Sequence, residues 1–272
     1  MKLIMRSLLL GCAFFISSLF WVAANETTST PTDIVFCAPQ DNVYPFYMTE
    51  NGQLTGINPD LIRQVFNQNT LPEATLSFSL RPWKRCNADL ENGSVDMMIG
   101  GYDAKRDNVV YPLSLGFDLN ESAISTADVC FFSIAGPQME RAQKGLSKTG
   151  PFIVGIEAGF TKRHSEEISP TWVELFNPTE KHRMLEKGRV DAIVQVCSMD
   201  GQYPIESMAE TLGYTNFEKL HPPYLSNPAY VVFSKKFANS HHDLAKRIIV
   251  LFMSVDKAQV YIRYQPKRSA LN

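Results

Sequence analysis

The chain has 272 residues, with 26 Lys and Arg against 28 Asp and Glu, a formal net charge of −2. That balance leaves no electrostatic footprint for nucleic acid, and no basic stripe interrupts the sequence. Its length is enough for one large core or for two domains of ordinary size.

Lys2 and Arg6 precede the apolar stretch "LLLGCAFFISSLFWVAA" (Leu8–Ala24), which ends in small residues. This pattern predicts a secretory signal peptide over residues 1–24, with an exported mature chain. An uncleaved anchor is the alternative, but the stretch is shorter than the roughly 20 residues that a spanning helix needs. A lipoprotein reading through Cys12 is weaker, because most of the apolar core follows that cysteine. Cleavage would leave 24 basic and 28 acidic residues, a net charge near −4.

Residues 25–32 ("NETTSTPT") read as a polar lead-in, and "DIVFCAP" (Asp33–Pro39) as a buried strand. Asn51-Gly52 marks a turn. "NPDLIRQVFNQN" predicts a helix capped by Asn58, with Pro59 in its first turn and Leu61, Ile62, Val65 and Phe66 on one face. "ATLSFSL" alternates as a strand. "RPWKRCNADLENG" predicts a helix with Pro82 near its start and Gly93 in the left-handed position that ends it. "VDMMIGG" is the next buried strand. Strand–helix–strand–helix–strand predicts an α/β lobe with a largely parallel sheet, whose ligands gather beyond the carboxyl ends of the strands.

The same grammar returns 95 positions later. "LENGSVDMMIG" (Leu90–Gly100) and "LEKGRVDAIVQ" (Leu185–Gln195) share Leu, Glu, Gly, Val and Asp at one spacing. "FIVGIEAG" (Phe152–Gly159) supplies a strand, and "NPTEKHRMLEKG" a helix with Asn177 as cap and Glu180 completing a capping box. Two lobes on one plan, with a cleft between them, explain the repetition. Asp96 and Asp191 begin strands in both copies, where they satisfy backbone amides more readily than they serve chemistry. Near the C-terminus Ser240 caps a helix whose Leu244, Ile248, Leu251, Phe252 and Val255 recur at helical spacing.

Four cysteines remain after cleavage: Cys37, Cys86, Cys130 and Cys197. An even number in an exported chain permits two disulfides, and four cysteines allow three pairings. The two-lobe plan favours Cys37–Cys86 and Cys130–Cys197, with buried free thiols as the alternative.

The blocks "YPFYMTENGQLTGINPDLI", "PWKRCNADLENGSVDMMIGGYDAKRDNVVYP", "FIVGIEAGFT", "LEKGRVDAIV" and "NPAYVVFSKK" stand in one order along the chain. In that order they resemble the type II periplasmic solute-binding proteins that feed amino-acid-type ABC importers, the bacterial extracellular solute-binding proteins of family 3. The resemblance implies an α/β, two-lobe fold. Residues 33–127 with 236–272 would form one lobe and 132–225 the other, with crossings near "ADVCFFS" and "NPAYVVFS". It also implies a small-molecule solute, a membrane permease as partner and a monomeric protein without a cofactor.

The candidate ligand residues follow from that likeness. Gly101, Tyr102 and Asp103 lie in "GGYDAKR", where glycines let backbone amides approach a ligand. Arg106 aligns with the family's arginine for the ligand's carboxylate, a geometry its guanidinium fork suits. Tyr44 and Trp83 align with residues that sandwich the ligand. Arg85 could add positive charge or pair with Asp89 at helical spacing. On the second lobe Glu157, Phe160 and Thr161 lie in the turn that completes carboxylate binding in the family. Val196 departs from the pattern, because amino-acid binders usually place an aspartate there for the ligand's ammonium. Glu157, Asp200 and Asp103 are the acids that could substitute; otherwise the ligand lacks that ammonium.

No nucleophile elbow, P-loop or H-E-x-x-H motif occurs. His241 and His242 are adjacent on a helix and diverge, so no metal site is expected. Two alternatives remain: a soluble sensor that presents its ligand to a membrane receptor, and a dehydratase-type enzyme, for which Glu157 is the candidate acid.

Overall fold

The computed structural model describes residues 30–67, 69–157, 162, 168–175, 178–205 and 216–265. The expected signal segment, the Asn177 cap and the Phe160–Thr161 turn lie outside the described residues.

In chain order the first half contains β1 (Thr32–Pro39), a β2–β3 hairpin (Met48–Glu50 and Gln53–Thr55), α1 (Ile57–Val65), β4 (Ala74–Arg81), α2 (Trp83–Glu91), β5 (Met97–Gly101), β6 (Val109–Val110) and α3 (Leu119–Ser122). Then come β7 (Ser125–Ile134), α4 (Pro137–Leu146), β8 (Ile153–Glu157), β9 (Thr171–Leu175), α5 (Pro178–Glu186), β10 (Ala192–Met199), β11 (Tyr203–Pro204) and β12 (Phe217–Ser234). The hairpin turns at Asn51 and Gly52, both with positive φ, which suits the twist of a tight two-residue connection.

One sheet runs in the order β4-β1-β5-β12-β7-β10-β8-β9. β1 lies between β4 and β5 and parallel to both. β8 lies likewise between β9 and β10. Parallel neighbours need long crossovers, and α1, α2 and α5 fall within them. β12 joins the halves: Ala229–Phe233 pair with β5, and Phe217–Ala229 pair with β7. The fold is the mixed α/β, two-lobe architecture expected from the sequence.

The repeated sequence has one structural meaning. Asp96 accepts a hydrogen bond from Val35 N through Oδ2 (2.9 Å), and its own amide donates to Val35 O (2.9 Å). Asp191 does the same with Ile153, at 2.9 and 2.8 Å. Each aspartate thus locks its strand to the central strand of its half, a structural role as expected. Gly93 (φ 74°) and Gly188 (φ 64°) end the preceding helices in the left-handed conformation.

Two capping expectations are corrected. Helix α1 starts at Ile57 behind Gly56, without a side-chain cap. Asn58 therefore lies inside the first turn, and its side chain is buried. Ser240 ends a short helix, Lys235–Ser240, that is capped instead by Ser234 Oγ accepting from Phe237 N (3.1 Å). The long helix His242–Ser254 begins after it. Ile248, Ile249 and Phe252 of that helix pack with Ile34, Phe36, Leu61 and Ile62, so the C-terminal segment closes the first core. A separate core around Phe131, Phe152, Val154 and Ala192 fills the second half.

Both favoured disulfides are present. Cys37–Cys86 ties β1 to α2 with a Cα–Cα distance of 5.6 Å, and Cys130–Cys197 ties β7 to β10 at 5.8 Å. Cys197 occupies a register shift between Val196 and Ser198.

Gly56 is the tightest joint near the cavity described below. Its φ is 116°, and an added Cβ would lie 2.4 Å from Phe46 O. The same joint carries hydrogen bonds from Ile57 N to Pro45 O (3.0 Å) and from Asn58 N to Phe46 O (3.2 Å). Gly56→Ala should cost about 3 kcal/mol of stability, because backbone strain and overlap act together. A urea titration of the purified variant measures this, and a loss below about 0.5 kcal/mol would contradict the tight packing.

Candidate functional site

The carboxyl ends of β1, β5 and β8 point toward an open cavity of about 1340 Å³, counted out to solvent. The first half supplies Pro39 at the end of β1, Asp41, Val43 and Phe46 after it, Trp83 and Lys84 at the start of α2, and Gly100 and Gly101 at the end of β5. Glu157 ends β8 and Val196 lies on β10. The crossing strands supply Ser125, Ala127, Val129, Asn227 and Ala229. A second space of about 550 Å³ shares Val43, Phe46, Val129, Glu157 and Val196 and reaches Tyr44, Lys181 and Gln195.

Of the expected ligand residues, Trp83, Gly101 and Glu157 line the larger cavity, and Tyr44 lines the smaller space. A Cβ on Gly101 would meet nothing closer than Asn227 Oδ1 at 3.5 Å, and on Gly100 nothing closer than Met98 Cε at 3.8 Å. Packing therefore does not require these glycines, and their bare backbone leaves cavity space that side chains would fill. Val196, where the expected pattern has an aspartate, lines the cavity.

The structure does not bring Tyr102, Asp103 or Arg106 to the cavity wall. Tyr102 is exposed and meets Tyr111 edge-on, with ring centroids 5.0 Å apart. Asp103 N donates to Tyr111 Oη (3.3 Å), and Asp103 Oδ1 accepts from Lys105 N (2.9 Å), which shapes a local turn. Arg106 Nε donates to Glu91 Oε1 at 3.3 Å. Its guanidinium also lies near Tyr111, whose phenol is raised above its ordinary range by burial and drawn partly back by Arg106. Tyr111 Oη in turn donates to Gly101 O (3.2 Å). Arg106 thus stands behind the turn that forms the wall. Arg85 makes the helical ion pair with Asp89 (2.9 Å).

The acids suggested as substitutes at position 196 fare unequally. Asp200 Oδ1 accepts from Thr126 N (2.7 Å), and Asp200 N donates to Thr126 O (2.7 Å), so it anchors the start of β7. Glu157 does reach the cavity, but Lys181 Nζ lies 2.6 Å from its Oε1. Lys181 Nζ also donates to Val194 O (3.0 Å) and is almost fully buried. Glu157 is therefore already neutralised.

Sequence reasoning did not single out Lys181, Asn58, Ser125 or Asn227. Lys181 had a readable signal: it lies four residues before Leu185, on the buried face of α5. Asn58 looked like a cap, and nothing local marks Ser125 or Asn227. Among the described residues no group of three or more His, Cys, Asp or Glu side chains could hold a metal ion. No described helix is long and apolar enough to cross a membrane.

Residues 35–110 match the sequence model of the bacterial extracellular solute-binding proteins, family 3. No curated protein matches the chain. Among solved structures, the substrate-binding protein of an amino acid ABC transporter is similar at a TM-score of 0.60 and 17% identity, covering 85% of this chain and 96% of that one. An ancestral arginine-binding protein bound to arginine gives 0.63 and 16%, covering 87% and 97%. A structure reported for glutathione import via GshT and the cystine ABC importer TcyBC of Streptococcus mutans gives 0.64 and 12%, covering 88% and 98%. At these identities the likeness establishes the fold.

Proposed function

We propose that this chain, which carries the family 3 extracellular solute-binding sequence over residues 35–110, binds a small organic solute in the cavity between its two halves and delivers it to an ABC-type importer. The observation that carries this reading is the origin of the cavity walls. Both halves of the sheet contribute, and the strands that join them, β7 and β12, add residues of their own to the lining. Bending those two strands would bring Trp83 and Glu157 together over a bound solute, a hinge closure. The closed form would then be recognised by the permease, with the binding protein acting as a monomer outside the inner membrane.

Micromolar affinity requires only about −8 kcal/mol. Trp83 and Phe46, the apolar strand residues and the open backbone at Gly100–Gly101 are together sufficient surface for that. Enzymatic turnover is less well supported, because Glu157, the one candidate acid, is committed to Lys181.

The solute expected from the likeness bears a carboxylate gripped by Arg106. Such a ligand would have to draw Arg106 away from Glu91 and past Tyr111. The test of the binding function is a thermal-shift screen of the exported protein against a broad solute library. Saturable stabilisation by a solute, weakened at least tenfold in Trp83→Ala, is the expected result. Stabilisation unaffected by Trp83→Ala would move the site elsewhere.

A further inference from the structure

We propose that the cavity is selective for an uncharged, largely apolar solute that offers hydrogen bonds to Asn58 and Ser125, and not for an α-amino acid. This rests on the binding function proposed above and specifies its ligand class.

Two independent observations carry it. The first is the state of the charges. An α-amino acid brings an ammonium and a carboxylate, and each needs a counter-charge once desolvated. The position that would face the ammonium is Val196, and Glu157 beside it is occupied by Lys181. Arg106 is absent from the wall: its Nε donates to Glu91 and its Nη2, buried and without a partner, lies behind the turn. Asp41 and Lys84 remain, both exposed to solvent and so able to keep their hydration. The interior surface is formed instead by residues such as Val43, Phe46, Trp83, Ile99 and Val129.

The second is a set of polar atoms short of partners. Asn58 and Ser125 both line the cavity and are only 4% and 1% exposed. Ser125 Oγ has no hydrogen-bond partner, and the Asn58 side chain and the buried hydroxyl of Tyr47, which also lines the cavity, have only each other. Buried polar groups are ordinarily satisfied, so these three under-satisfied groups at a cavity wall point to a ligand group that completes them. Asn58 Oδ1 can only accept, while the Ser125 hydroxyl can donate or accept. An amide or alcohol supplies a donor for the first without bringing a charge.

The test is calorimetric titration of the exported protein with matched compounds on indole, phenyl and branched aliphatic scaffolds. Each scaffold carries a primary amide, an alcohol, a carboxylate or the α-amino acid group. The amide or alcohol of at least one scaffold should bind at least tenfold more tightly than its carboxylate and its amino acid. Ser125→Ala and Asn58→Ala, checked for an unchanged fold by circular dichroism, should each weaken that compound about fivefold or more.

Tightest binding by a carboxylate or an amino acid would overturn the inference while leaving the solute-binding function intact. Unchanged affinity in both alanine variants would overturn the role of Asn58 and Ser125. Silence of all the compounds would also overturn the inference, and the binding function falls with it only if the broad library is silent too.

Discussion

Removing the two disulfides, by reduction or by paired Cys→Ala substitution, should destabilise the protein by about 4 kcal/mol for each bridge on the chain-entropy account. The bridges close separations of 49 and 67 residues, long enough that the unfolded chain gains substantial freedom when they open. Their placement adds a functional consequence. Cys86 lies on α2 three residues after Trp83, and Cys37 lies two residues before Pro39, so the first bridge braces one wall of the cavity. Cys130 and Cys197 adjoin Val129 and Val196 on another wall. Urea unfolding with and without reductant measures the stability change. Solute affinity should fall along with it, because the walls lose their alignment before the fold is lost. A combined loss below about 1 kcal/mol would show that neither bridge constrains the chain as its loop length requires.

Lys181→Met should cost about 2 kcal/mol, because it removes the counter-charge of Glu157, which is only partly open to the cavity. Methionine keeps most of the volume, so packing contributes little to that loss. The lysine makes two contacts, 2.6 Å to Glu157 and 3.0 Å to Val194 O, and has almost no exposure to water. The controlling experiment is the double variant Glu157→Gln with Lys181→Met. Breaking a buried pair is costly, whereas replacing both partners can be nearly neutral. The double variant should therefore recover most of the stability lost by Lys181→Met alone. If both lose the same amount, the charge pair is not the cause.

Much of the architecture was legible because it repeats. Leu90 to Asp96 and Leu185 to Asp191 are one local device: a helix end, a left-handed glycine and an aspartate that binds the central strand. Each step has a strong local cause, and the sequence wrote it twice. The disulfide pairing followed from the two-lobe plan for the same reason. Helix starts were less legible. Asn58 is a good capping residue by type, but Gly56 at φ 116° takes the cap position, which leaves Asn58 two residues inside the first turn of α1. Only the packing of Gly56 under Phe46 decides that, and it is a tertiary contact.

The candidate site was legible by position and less so by charge. Trp83, Gly101 and Glu157 reach the cavity because they follow strands at their carboxyl ends. Arg106 follows β5 too, yet Glu91 and Tyr111 hold it behind the turn. Those partners come from α2 and from the segment after β6, so no local pattern around Arg106 reveals them. Ser125 and Asn227 reach the cavity only because β7 and β12 cross between the halves.

The most direct test of the whole account is small-angle scattering of the exported protein with and without the tightest-binding solute. Closure about β7 and β12 predicts a smaller radius of gyration at saturation, and the same solute should leave Trp83→Ala unchanged at that concentration. An identical scattering curve for the free and saturated protein would contradict a cavity that closes between two lobes.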